Sequence, residues 1–194
     1  MDLITFYNFA KKVCISEGFK EEIQLVEERK FDQINSTYFF REYSWVVISS
    51  GISNKAATSV FHKLMETRNI DVVKHPGKNK ALKKADCDYL KWFFHLQKCK
   101  TDKERIEYLR TLPYMGPATS LHLARNLGID VAKPDRHLVK IANHFGYGHT
   151  DVQTMCEHIS KQMGERVGTI DIVLWRISVI MPPWKQKEES VPGW

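Results

Sequence analysis

The sequence predicts an all-α fold, and three observations carry that expectation. Apolar side chains recur three and four residues apart in one segment after another. No segment alternates with period two over a useful length. The breaks between segments are short and marked by Gly, Pro, Asn or Ser. Neither an internal repeat nor a low-complexity linker interrupts the pattern. A chain of 194 residues, 43% of them hydrophobic, is long enough to bury a core and suits one or two small domains.

The first amphipathic segment is 3–14, with Leu3, Phe6, Tyr7 and Ala10 on one face. A second follows over 19–30, where Ile23 and Val26 oppose a charged outer face. Asn35, Ser36 and Thr37 offer capping side chains for a strongly apolar helix over 38–50, which Gly51 interrupts. Ser53 and Asn54 begin another helix through Leu64, with Ala56, Val60, Phe61 and Leu64 inward. Residues 69–79, containing His75-Pro76-Gly77, read as a loop. A long helix over about 80–98 then carries Leu82, Tyr89, Leu90, Trp92, Phe93 and Leu96, and Asp102 reads as the cap of the next.

Residues 106–142 organise the rest. Ile106, Leu109 and Leu112 form the apolar side of one helix, which Pro113 ends by removing a backbone donor. Gly116 is expected to supply the positive φ of a tight hairpin, and Pro117 suits the first position of a new helix. Leu121, Leu123, Ala124 and Leu127 give that helix its stripe, and Gly128 fits its C-terminal stop. Such a hairpin presents unpaired backbone N–H groups at a helix N-terminus, an anion site that needs no basic side chain. Pro134 holds its predecessor extended, and Asp135 is placed to cap or begin the next helix. Helices near 136–145, 151–163 and 169–180 follow, and from Pro182 the chain reads as an extended tail that Trp184 or Trp194 can dock.

Composition excludes several classes. The longest apolar runs, Trp45 to Ile48 and Ile170 to Trp175, are far too short to span a bilayer, so no membrane partner is expected. Asp2 precedes the first apolar residues and Lys11 and Lys12 follow them, the reverse of a secretory signal, which predicts an intracellular protein, cytoplasmic or nucleoid-associated. Cys14, Cys87, Cys99 and Cys156 lie far apart with no C-x-x-C pair, so buried free thiols are expected and no metal. Twenty-nine basic against 23 acidic residues give a charge of +6, compatible with a polyanion partner but common without one.

The segment LPYMG at 112–116, the helix to Gly128, and KPD at 133–135 followed by RHLVKIA resemble the helix-hairpin-helix (HhH-GPD) superfamily of DNA glycosylases. Their order and the hairpin-to-Asp separation carry the resemblance. It implies two helical lobes, one over 35–128 with the hairpin and one formed by 1–34 with 129–181, leaving 182–194 as a tail. Double-stranded DNA is expected in the cleft between them, bound through Pro113, Tyr114, Met115, Gly116, Ala118 and Thr119, with a monovalent cation at the hairpin carbonyls as the one conceivable cofactor. No iron–sulfur cluster is implied, since nothing after Cys156 supplies one, and a monomer is expected.

The resemblance makes Asp135 the catalytic acid, stabilising an oxocarbenium-like sugar and orienting a water; from the residues alone it serves equally as a helix cap. Lyase-type members place a Lys two residues after the hairpin Gly, where this chain has Ala118, so a monofunctional enzyme is expected. Glu42 and Asp171 are candidate pocket acids, with pairing to Arg41 or Arg176 as the alternative. Trp45 and Trp175, with Tyr43 and Trp92, are candidate walls for a flipped base, and core residues otherwise. His137 is a candidate phosphate contact. The turn at Ser50-Gly51-Ile52-Ser53-Asn54 resembles the loop that carries the family's wedge; Gly51 stands where many relatives have Gln, leaving Ile52 or Asn54 to substitute. The base is left open among alkylated, deaminated, oxidised and hypermodified ones, the last of a kind phages carry and implying defence. The rival from another class is a non-catalytic helix-hairpin-helix DNA clamp.

Overall fold

Ten α-helices, and no strand, make up the described residues of the computed structural model, which are 1–148 and 150–181. They are α1 (Leu3–Ser16), α2 (Lys20–Glu28), α3 (Ser36–Ser49), α4 (Asn54–Thr67), α5 (Pro76–Lys98), α6 (Asp102–Arg110), α7 (Pro117–Asn126), α8 (Arg136–His144), α9 (Val152–Met163) and α10 (Val167–Ile180). The tail expected from Pro182 lies outside the described residues.

Local chemistry sets the helix ends. Asn35 caps α3 by accepting the Tyr38 amide at 2.8 Å. Several ends differ from expectation by a residue or more, two of them for a clear local reason. α5 starts at Pro76, not near 80, because Pro at the first position has no N–H to lose and His75 Nδ1 accepts the Lys78 amide at 3.3 Å. The expected loop over 69–79 therefore shrinks to 68–75, around a single 3-10 turn at Ile70–Val72. Thr101, not Asp102, caps α6, through a capping box in which Glu104 reaches back to the Thr101 amide.

The chain divides into two units, Lys30–Ile129 and Met1–Arg29 with the chain from Asp130 on. From the sequence, the lobes meet at 34/35 and 128/129. The turn at Phe31–Gln33 falls instead with the middle unit, where Phe31 is buried and the Arg105 guanidinium lies 4.3 Å over its ring. In that unit α3 packs on α4, α5 and α7, with Phe39, Tyr43, Val47, Leu82, Leu96, Leu123 and Leu127 buried. In the terminal unit α10 is the central helix, against α1, α2, α8 and α9. Its core joins Phe6, Tyr7, Ala10 and Cys14 to Leu138, Ile159, Ile170, Val173 and Ile177.

Candidate active site

The middle unit carries the hairpin. α6 ends at Arg110, Leu112 and Met115 turn inward, and the Met115 amide closes on the Leu112 carbonyl at 3.1 Å. The left-handed residue of the turn is Tyr114, at φ 65°; Gly116, expected to take that conformation, is extended at φ −93°. An L-residue pays for this backbone, and Tyr114 is supported by packing. Its ring meets His75 edge-on at 6.0 Å and lies where a Cβ on Gly77 would come within 3.3 Å.

Gly116 instead caps α7. Its amide donates to Thr119 Oγ1 at 2.7 Å, and that hydroxyl lies 3.2 Å from the Gly116 carbonyl. The Ala118 and Thr119 amides, at the second and third positions of α7, have no carbonyl within the helix to reach. Gly116, Pro117 and Ala118 are solvent-exposed. At the start of α7 an approaching anion thus meets backbone amides and small side chains, with the exposed Tyr114 ring beside them. Tyr43 braces the turn from α3, its hydroxyl donating to the Pro113 carbonyl at 2.6 Å. A monovalent cation at the hairpin carbonyls would share the Leu112 and Pro113 oxygens with bonds they already accept.

The terminal unit carries the acid. Residues 130–135 are held from several sides. Asp130 accepts the Gly168 amide at 3.0 Å, Gln153 Oε1 accepts the Ala132 amide at 2.8 Å, and Asp171 Oδ2 accepts the Lys133 amide at 2.5 Å. Asp135 then caps α8, its Oδ1 accepting the His137 and Leu138 amides at 2.8 and 3.1 Å. Its other oxygen, Oδ2, lies 3.8 Å from the Lys133 ammonium, and the side chain is only 15% exposed. Oδ1 is thus taken up by the helix cap, while Oδ2 lies beside the Lys133 ammonium.

The remaining candidates fall into separate places. Asp171 is 1% exposed and spent on the Lys133 amide, so it orders the acid loop, and Arg176 pairs not with it but with Glu22, at 2.5 to 3.0 Å. Trp175 is half-buried with the Arg176 guanidinium 4.8 Å from its ring. His137 follows the cap, and desolvation holds its pKa below the usual 6.5. In the middle unit Glu42 accepts from Asn126 Nδ2 at 3.0 Å, tying α3 to the end of α7. Tyr43 and Trp92 are core residues, rings 5.5 Å apart, and provide no free wall; Trp45 is half-buried, edge-on to Phe61. Gly51 takes φ 74°, Ile52 is 45% exposed at the tip of the α3–α4 turn, and Asn54 opens α4.

No family model matches this sequence, and no curated protein matches it either. Solved structures do. The Methanocaldococcus jannaschii 8-oxoguanine glycosylase/lyase, in complex with DNA containing 8-oxoguanine, superposes with a TM-score of 0.74 at 16% identity, over 92% of this chain and 98% of that one. The Thermotoga maritima 8-oxoguanine DNA glycosylase gives 0.70 at 15%, over 92% and 97%. A second M. jannaschii 8-oxoguanine DNA glycosylase structure gives 0.71 at 15%, over 93% and 94%. The fold is that of these 8-oxoguanine DNA glycosylases. At these identities the likeness is one of architecture. On this glycosylase fold the residue two beyond the hairpin glycine is Ala118, an exposed methyl on the first turn of α7 with no nucleophile to offer.

The sequence did not single out Lys78 or Gln153, and it gave Tyr43 a different role from the bracing one its hydroxyl takes. The Tyr43 hydroxyl left a signal, since a tyrosine in an apolar helix needs a partner for its O–H. Gln153 left none.

Proposed function

We propose that this protein is a monofunctional DNA glycosylase, hydrolysing the N-glycosidic bond of a damaged or modified base flipped out of double-stranded DNA. The observation that carries the reading is the Asp135 carboxylate, anchored through Oδ1 at the start of α8 with Oδ2 held 3.8 Å from Lys133, on a fold shared with DNA glycosylases. The hairpin amides take a phosphate without reading sequence. With the nucleotide extruded, positive charge develops on the sugar as the bond to the base lengthens. The Asp135 anion stabilises that charge and orients a water, whose oxygen bonds to C1′ while its proton leaves by way of the carboxylate. The products are the free base and an abasic site. A DNA clamp alone has no use for this half-buried, prepositioned acid.

The test is nucleobase release, read by mass spectrometry, from DNAs carrying oxidised, alkylated, deaminated or hypermodified bases. 8-Oxoguanine heads the panel because the similar structures are 8-oxoguanine glycosylases. Release of one base by wild type, falling about a hundredfold or more in Asp135→Asn with DNA binding retained, supports the assignment. Binding without release from any of them favours the clamp. Borohydride trapping separates the monofunctional reading from a lyase: no covalent adduct is expected with Ala118 in the nucleophile's place. An adduct would instead point to Lys133, whose ammonium lies nearest Asp135.

A further inference from the structure

Lys78 is the outlier among the charged side chains of the middle unit. It is 5% exposed, and its ammonium pairs with no carboxylate among the described residues. Nζ donates instead to two backbone carbonyls at the end of α3, Ile48 at 2.8 Å and Ser50 at 2.6 Å. Burial pushes its pKa below the usual lysine value. A cation at the third position of α5 also sits at the unfavourable, positive end of its own helix, and what compensates it is the negative end of α3. An unpaired buried charge is costly to keep; what this one holds is specific.

It holds the turn between α3 and α4. That turn lacks the backbone closure with which helices commonly end: Gly51 is left-handed, yet the Ile52 amide reaches only the Ser49 carbonyl, at a long 3.4 Å. Lys78 supplies the missing acceptor satisfaction at Ile48 and Ser50, on either side of Ser49, and so fixes where Gly51 and Ile52 project. Ile52, an apolar side chain 45% exposed, stands at the tip. We infer that Lys78 is the positioning residue that holds the 50–53 turn, so that Ile52 is presented rigidly as the wedge filling the gap left by an extruded base. The inference rests on the glycosylase reading above.

The probe is a duplex carrying a tetrahydrofuran abasic analogue with 2-aminopurine opposite it, whose fluorescence rises when the base is unstacked. Wild type is expected to bind and raise the emission. Lys78→Met should bind with affinity within about twofold of wild type, because the hairpin is untouched, while losing most of the rise. Ile52→Ala should lose the same part, and the double variant no more than either alone. Lys78→Arg, which keeps a cation on the carbonyls, should recover a measurable share. A partly unfolded protein lowers binding and signal together, so signal loss at retained affinity marks positioning. Should Lys78→Met fail to fold, Lys78→Gln is read by the same criterion. A wild-type-sized rise in the folded Lys78 variant overturns the inference. So does tight binding by wild type with no rise, which would remove the wedge and leave the glycosylase reading intact. A wild type that does not bind the duplex at all overturns both.

Discussion

Under the proposed function Asp135 has two duties, which a pair of substitutions can separate. As the cap of α8 it satisfies two amides through Oδ1, and asparagine caps as well as aspartate does. Asp135→Asn should therefore leave thermal stability near wild type. Asp135→Ala strips the cap, at about 1 kcal/mol, and should lower Tm by about 2–4 °C for a chain of this size. Both should abolish base release, because neither side chain carries the anion. Calorimetry beside the release assay reads the two duties independently; if Asn loses as much stability as Ala, the capping bonds are not what holds α8. That Asp135 caps a helix is readable from the sequence, since Pro134 precedes it and an apolar-periodic run follows it. That Asp171 would serve the loop in front of it is not. Its spacing from Trp175 shows a shared helical face, but nothing local reveals that the face meets the Lys133 amide.

At the scale of elements, the hairpin shows where local rules run out. Leu112, Pro113, Gly116, Pro117 and Gly128 mark both helices correctly, and Gly128 ends α7 as expected: it is left-handed, and the Gly128 and Ile129 amides turn back to the Arg125 and Ala124 carbonyls. The left-handed turn residue was misplaced because glycine is the default for positive φ, while the support for Tyr114 comes from His75 and Gly77, far back in the chain. The start of α5 and the pairing of Lys78 have the same origin in tertiary contact. One expectation changes as a result. A Cβ on Gly116 meets nothing closer than Thr119 Oγ1 at 3.9 Å, and its extended backbone suits a branched residue. Gly116→Val should therefore keep Tm within about 2 °C of wild type. It should nonetheless weaken DNA binding about tenfold on every sequence, since an isopropyl group at the mouth of the α7 amides costs about one charge-assisted contact. Melting curves and salt-titrated affinities check it, and unchanged affinity would mean that the hairpin is not the phosphate anchor.

Over the whole molecule, the order of the chain has an energetic consequence. The middle unit is one continuous run, Lys30–Ile129, whereas the terminal unit is assembled from both ends of the sequence. Helical spacing exposes every helix in turn, but it carries no information on which ones share a core; that partition came only from the resemblance, and the turn at Phe31–Gln33 shows how a buried ring can move the seam by several residues. A continuous run of about a hundred residues with its own core is within the range that folds alone. The fragment 30–129 should therefore be helical by circular dichroism and melt cooperatively. It should keep weak, salt-sensitive DNA affinity through the hairpin, and it should release no base because Asp135 is absent. The fragment from residue 130 on should behave otherwise. Without α1, the buried faces of Ile170, Val173 and Ile177 lose Phe6, Tyr7, Ala10 and Cys14, and with them much of the apolar burial that opposes chain entropy. It should stay largely unfolded until a 1–29 peptide is added, and then gain helicity in a saturable titration. Cooperative melting of the isolated 130–194 fragment would show that α8, α9 and α10 suffice for that core, and that α1 and α2 are an addition to it.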